Sequence, residues 1–323
     1  MPISTVFTAL RALLGLAVFV TGLGVLRYGL RKVWSDRTEQ IIAKLVRTPL
    51  RGLFTGIGAT VVTQSSAAVT IMSMALVGAG VLRFPDTIGL ILGTNIGSTL
   101  TVGLLALNAE RAGPWLVALG VGAYIVTRVV APSQGRDRAR MDALAVSAVG
   151  FGTLFVGYAF IETTLRPLAS SPAVMRWLTE ANSHPALGVL VGTLVTAAIG
   201  SSSASTAMVL ALAGSHALAL DAAVAVVLGN NVGTCVTAVI ASIGGSRDVQ
   251  RVAATHVLLN VAGAAVFLIG LHPFVELVTW IAPTPPARVA AAHILFNVIS
   301  SAIALPFAVQ IARALYRLLP DRT

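Results

Sequence analysis

Apolar residues run through this chain in long blocks, at about 6–30, 52–80, 84–107, 114–131, 143–165, 187–216, 217–243, 252–272 and 289–312. A spanning helix needs about 20 residues at a rise of about 1.5 Å each, so these blocks predict membrane-spanning helices. Blocks 52–80 and 187–216 are longer than one span needs, and each has a polar run at its centre, "TQSSAAVT" (63–70) and "IGSSSAST" (199–206). Such runs predict re-entrant helical hairpins: the helix breaks at the polar residues, which form the tip near the bilayer midplane, and the halves enter and leave on one side. Between the blocks, Ile41, Ile42, Leu45 and Val46 recur at helical spacing among Arg and Lys in 31–51, the pattern of a helix lying on the membrane surface.

The polar runs belong to a larger repeat. Sliding the sequence by 136 positions aligns Gly52–Thr101 with Gly188–Thr237 without a gap, with 17 identities in 50 positions. Shared Ala, Val and Leu mean little in apolar segments. Shared Gly56/Gly192, Ser65/Ser201, Ser66/Ser202, Thr70/Thr206, Gly93/Gly229, Asn95/Asn231 and Thr101/Thr237 mean more. A weaker echo, "GLAVFVTGL" against "GFGTLFVGY", extends the likeness upstream. The chain therefore reads as one unit used twice, 1–135 and 136–323. With 31–51 in the cytoplasm and both hairpins re-entrant, 15 Lys/Arg fall inside, four outside (Arg111, Arg166, Arg176, Arg288) and three within helices (Arg11, Arg27, Arg128). That bias predicts repeats of inverted topology and an all-α integral membrane protein.

Composition agrees. Of 323 residues, 56% are hydrophobic and 11% charged, whereas a soluble domain carries roughly a quarter charged residues. The net charge of +10 follows from positive-inside loops; without a basic stripe interleaved with aromatics, it does not indicate nucleic acid. The single Cys235 excludes an internal disulfide and a thiolate metal site. The N-terminal block runs past the length of a signal-peptide core and reads as a retained first helix.

The tip residues carry the chemistry. A half-helix that starts at a tip presents N–H groups and a positive dipole end to an anion, while one that ends there presents carbonyls to a small hard cation. Hydroxyls and amides serve both. The candidate binding residues are Gln64, Ser65, Ser66, Thr70, Thr94, Asn95, Ser201, Ser202, Ser203, Thr206, Asn230 and Asn231. His256 with Asn260, and His293 with Asn297, sit at i and i+4 and either line a polar interior or bond between helices. Glu162 and Glu276 are expected near helix ends at the outer surface. No Lys or Arg falls at the tips, so an anion there is expected to depend on dipoles, hydroxyls and a co-bound cation.

"TQSSAAVT", "GTNIGST", "GSSSAST", "GNNVGTC" and "AHILFN" resemble the type II sodium/phosphate cotransporters, whose mark is a duplicated Gln-Ser-Ser-Ser motif in an inverted repeat. Gln64, Ser65 and Ser66 match the first motif, with Ala67 at its third Ser; Ser201, Ser202 and Ser203 match the second, with Gly200 at its Gln. The resemblance implies a transport core in the plasma or bacterial inner membrane that carries inorganic phosphate with Na+ as coupling ion, by alternating access, with no covalent cofactor. Alternatives are net phosphate export, another small oxyanion, an anion channel, or an intramembrane serine hydrolase. The hydrolase lacks G-x-S-x-G and an acid to orient a His, and has no use for a second nucleophile loop.

Overall fold

The computed structural model describes residues 3–33, 45–46, 48–106, 112–130, 135–165 and 184–321, and among these there are helices and no strand. In chain order the helices are α1 (Ile3–Val33), α2 (Pro49–Thr63), α3 (Ser66–Gly78), α4 (Thr87–Leu105), α5 (Gly113–Val130), α6 (Arg136–Leu165) and α7 (Pro185–Ile199). Then come α8 (Ser202–Gly214), α9 (Leu220–Gly233), α10 (Cys235–Ser242), α11 (Arg247–Ile269), α12 (Leu271–Ile281), α13 (Pro285–Ala304) and α14 (Ala308–Leu318). Six helical stretches, Leu10–Leu30, Phe84–Leu105, Asp137–Ile161, Leu220–Ser242, Arg247–Ile269 and Pro285–Leu318, are long and apolar enough to cross a membrane.

Both long polar-centred blocks break at their polar runs. α2 starts at Pro49 behind Thr48, whose hydroxyl accepts from the Arg51 amide; proline is pre-set for a first turn and its missing N–H costs nothing there. Pro185 opens α7 in the same register, 136 positions on. α2 ends at Gln64 with φ 51° and α7 at Gly200 with φ 71°, both left-handed. α3 and α8 restart at once, capped by Ser65 and Ser201, whose hydroxyls accept from the amides of Ala68 and Ala204. At about 1.5 Å per residue, the 15 residues of α2 or α7 reach about 22 Å, short of a hydrocarbon core of about 30 Å.

Lipid tails are as apolar as leucine, so helices in a bilayer associate through close packing rather than through the hydrophobic effect. Glycine supplies that closeness. On α1, Gly15, Gly22 and Gly29 recur every seven residues and face α6, where Gly150 and Gly157 answer them. A Cβ at Gly22 would lie 2.4 Å from the Leu154 nitrogen, and one at Gly150 2.2 Å from that of Leu26. The α2–α4 contact is built likewise, with a Cβ at Gly56 falling 2.2 Å from the Leu90 oxygen and one at Gly93 2.0 Å from that of Leu53. The α7–α9 contact repeats it through Gly192 and Gly229, where a Cβ would meet the Val226 and Val189 oxygens at 2.1 and 2.0 Å. α4 and α9 form the centre, with Ile88, Leu90, Ile91 and Leu92 on one and Val224, Val227 and Leu228 on the other all buried, and α13 packs against both.

At one end of the bundle Arg251 ties the last helix down. Its guanidinium donates to the Leu319 carbonyl at 2.6 and 2.9 Å, pairs with Asp321 at 2.8 Å and with Asp248, and lies 4.3 Å from the centroid of Tyr316. Val46 buries against the same end, in one cluster with Leu82, Phe84, Val249 and Leu315.

Several expected boundaries differ. Block 217–243 is interrupted at Thr234, between α9 and α10, whereas its counterpart α4 runs unbroken. Block 289–312 turns through a 3-10 segment, Leu305–Phe307, because Pro306 has no amide hydrogen for the ladder. α12 is an additional short helix that buries Leu271, Phe274, Val275 and Val278 and exposes Trp280. Of the expected surface helix, Ile41 and Ile42 lie outside the described residues; Leu45 is exposed and Val46 buried. Glu276 is exposed and 3.3 Å from His272, while the Glu162 side chain lies outside what is described.

The glycine packing makes a paired prediction. Gly22→Leu forces α1 from α6 and costs about 3 kcal/mol or more, read as a lower melting temperature or aggregation in detergent. Gly24→Leu, where an added Cβ meets nothing within 4 Å, leaves both unchanged.

Candidate functional site

The two helix breaks meet at a single small cavity. Its lining falls into eight pairs related by the 136-residue offset: Thr60/Thr196, Gln64/Gly200, Ser65/Ser201, Ser66/Ser202, Ala67/Ser203, Gly97/Gly233, Ser98/Thr234 and Thr101/Thr237. The seventeenth lining residue is Arg27, which comes from α1 and has no counterpart of its type at 163. The free volume is about 30 Å3, room for about one or two waters or a bare ion.

α3 and α8 both start at this cavity. The first amides of a helix have no partner within it, and here they belong to Ser66, Ala67, Ser202 and Ser203, all in the lining. Ser202 and Ser203 are buried. Arg27 donates from Nε to the Gln64 carbonyl at 2.9 Å. A guanidinium thus stands beside the positive ends of α3 and α8, where the negative ends of α2 and α7 also arrive, and adds a full positive charge to them. This corrects the expectation that no Lys or Arg reaches the tips: Arg27 lies in an unbroken apolar helix, and only the packing of α1 against the break brings it there.

The copies differ in ways that matter chemically. The Gln64 side chain accepts from Thr101 Oγ1 and donates from Nε2 to the Val61 carbonyl at 2.7 Å. Gly200 has no side chain to do this, and Thr237 donates instead to the Thr234 carbonyl at 3.0 Å. Left-handed backbone suits Gly200 but disfavours Gln64 by about 1–2 kcal/mol, so surrounding contacts must hold Gln64 in place. A second difference lies behind the lining. Asn230 sits among Thr196, Ser205 and Thr206; with its amide nitrogen toward Val226 O and Gly192 O (3.1 and 3.2 Å), it satisfies those carbonyls and the hydroxyls together. Its counterpart is the shorter Thr94, whose hydroxyl goes to the Ile91 carbonyl. The buried hydroxyls of Thr60 and Thr70, equivalent to Thr196 and Thr206, have no partner among the described residues.

Of the residues singled out from sequence, Gln64, Ser65, Ser66, Ser201, Ser202 and Ser203 come together in the lining. Thr70, Thr94, Asn95, Thr206, Asn230 and Asn231 stand outside it. Asn231 donates to the Val227 carbonyl at 2.9 Å, and Asn95 reaches Asn260 at 3.3 Å. Asn260 and Asn297 each donate to the carbonyl four residues back, on His256 and His293, at 2.9 and 2.8 Å. Both rings are buried with no hydrogen-bond partner among the described residues, and neither lines the cavity. Sequence reasoning passed over Arg27, Thr60, Ser98, Thr101, Thr196, Thr234 and Thr237. For Thr60/Thr196 and Thr101/Thr237 a signal was present, since both are identities in the repeat.

The family described as Na+/Pi-cotransporter matches this chain over residues 18–163 and again over 154–282. A relative from Bacillus subtilis, named "Uncharacterized protein YqeW", is 30% identical over 319 residues, 98% of each chain. "Putative inorganic phosphate export protein YjbB" of Salmonella typhimurium is 23% identical over 315 residues, 97% of this chain and 56% of the relative. The human "Sodium-dependent phosphate transport protein 2B" is 32% identical over 106 residues, 30% of this chain and 15% of the relative. No solved structure matches. With the family match covering most of its length and one likeness running end to end, the chain belongs to the Na+/Pi-cotransporter family.

Proposed function

We propose that this protein is a Na+-coupled carrier of inorganic phosphate in the plasma membrane, the inner one in a bacterium, and that both ions bind in the paired-tip cavity. The observation that carries the reading is the lining: eight matched pairs at two helix starts, plus one arginine. An oxyanion finds N–H donors from both α3 and α8, hydroxyls from Ser66, Ser202 and Ser203, and the Arg27 guanidinium, a donor set suited to phosphate. A hard cation finds oxygen donors in the first copy, where the Thr60 hydroxyl is unspent and Thr94 leaves unfilled the role of Asn230. A cation there adds positive charge beside the anion and strengthens its binding, which is the coupling.

The halves α2–α3 and α7–α8 act as re-entrant hairpins entering from opposite sides. Neither α2 nor α7 is long enough to span, and their breaks share one cavity. The inverted-repeat reading also puts residues 31–51, Arg83, Arg251 and the tail on one side. The clustering of Val46 with Leu82, Phe84, Val249 and Leu315 is consistent with that. Phosphate does not fit a free volume of about 30 Å3 unless the tips part or their side chains turn, so loading requires movement, as alternating access demands. Net export is a second reading, favoured by the name of the relative that matches 97% of this chain; a coupled carrier runs whichever way its gradients point.

The test is labelled phosphate flux in proteoliposomes. An inward Na+ gradient is expected to drive phosphate above its equilibrium distribution, and a K+ gradient is not; phosphate flux indifferent to Na+ sinks the coupling. Arg27→Gln is expected to raise the phosphate concentration at half-maximal flux about tenfold or more, in line with losing a charge-assisted hydrogen bond, with Arg27→Lys intermediate. Thr60→Val, nearly isosteric, is expected to raise the half-saturating Na+ concentration several-fold while leaving phosphate affinity at saturating Na+ almost unchanged. An unaltered Na+ dependence removes Thr60 from the cation site.

A further inference from the structure

Three helix ends converge on a second cavity, which shares no residue with the paired tips. The last turns of α1 and α5 and the first turns of α6 enclose about 180 Å3 lined by Tyr28, Lys32, Tyr124, Arg128, Asp142 and Ala143, among others. One device occurs twice in that lining, a tyrosine followed four residues later by a cation on the same helix face. Lys32 Nζ lies 4.7 Å from the Tyr28 ring centroid, and the Arg128 guanidinium 4.9 Å from that of Tyr124.

Among the described residues, charge at this pocket is not balanced. Asp142 is already engaged: Thr127 donates to one of its oxygens, and Arg128 Nη2 lies 3.3 Å from the other while also donating to the Tyr124 hydroxyl at 2.7 Å. Lys32 has no carboxylate within ion-pair distance among the described residues. Within the described lining, Lys32 and Arg128 against Asp142 leave one positive charge over. A cation at a helix C-terminus could serve the dipole alone, but here two fold back over rings around one open space. The start of α6 brings the positive end of its dipole to the third side, against the negative ends of α1 and α5. Beside the lining residues in sequence, α5 and α6 carry uncovered apolar side chains: Ile125, Val129 and Leu144 are 55%, 77% and 55% exposed. The pocket thus stands at the end of the apolar spans Leu10–Leu30 and Asp137–Ile161, where a bilayer crossed by those spans would place its headgroups.

We propose that this pocket holds the phosphate of an anionic phospholipid, between Lys32 and Arg128, with the acyl chains lying along the exposed apolar faces of α5 and α6. Basic pockets between helix ends are suited to such headgroups. Free inorganic phosphate has the same charge chemistry but no use for the apolar wall, and the test separates the two sources.

Purified, delipidated full-length protein is titrated with phosphatidylglycerol or phosphatidylcholine, and retention is read by native mass spectrometry alongside the melting temperature. Phosphatidylglycerol is expected to be retained and to raise the melting temperature, and phosphatidylcholine is not. The Lys32→Ala/Arg128→Ala double variant is expected to lose retention about tenfold or more, as befits two basic groups at the surface. Lys32→Arg/Arg128→Lys is expected to keep it, which separates loss of the site from loss of the fold. Equal retention of the two lipids, or full retention in the alanine variant, overturns the proposal. Displacement of phosphatidylglycerol by millimolar inorganic phosphate overturns it in favour of the free ion.

Discussion

A backbone interrupted within a membrane must satisfy its own polar groups, because hydrocarbon offers no water to do so. In the proposed topology this structure meets that demand twice. At each break a left-handed residue ends one helix and a serine caps the next, so the turn takes as few residues as it can. What capping leaves unspent, the leading amides of α3 and α8, is directed inward onto shared space. The cavity is therefore the place where two sets of leading helix amides face each other, and that is the ground on which ion binding there is proposed.

Near-symmetry explains the form of the cavity and its departures explain the chemistry. Two identical tips present the same donors and cannot distinguish an anion's partner from a cation's. Arg27 adds a charge that the second copy lacks, on the side of Gln64. Asn230 closes the hydroxyl network of the second copy, whereas Thr94 leaves that of the first open. The copies thus differ: the second is braced, and the first keeps the Thr60 and Thr70 hydroxyls without partners among the described residues.

What was legible in the sequence had polar residues at fixed spacing. The break points, the pairing of Ser65 with Ser201 and Ser66 with Ser202, and the helical class all stood out against apolar surroundings. The inward place of Arg27 did not, since nothing in "LGVLRYGL" distinguishes a cation lining a cavity from one reaching for the interface. Nor did the brace at Asn230, because its value lies in partners on α7 and α8 that only folding assembles. Asn95 and Asn231 looked equivalent and are identical residues, yet one bonds across to α11 and the other within its own helix. The seven-residue glycine spacing on α1 was present in the sequence but is easily taken for ordinary membrane composition.

That spacing has an electrical consequence. Contacts as close as those of Gly22 and Gly150 lock α1 and α6 into one stiff body, and Arg27 is fixed to it. The serine tips belong to other helices. In the proposed carrier cycle the tips shift relative to that body, and a full unit of protein charge then changes its distance from the cavity lining. On that reading the potential inside the cavity is a property of conformation as well as of composition, set in part by one side chain.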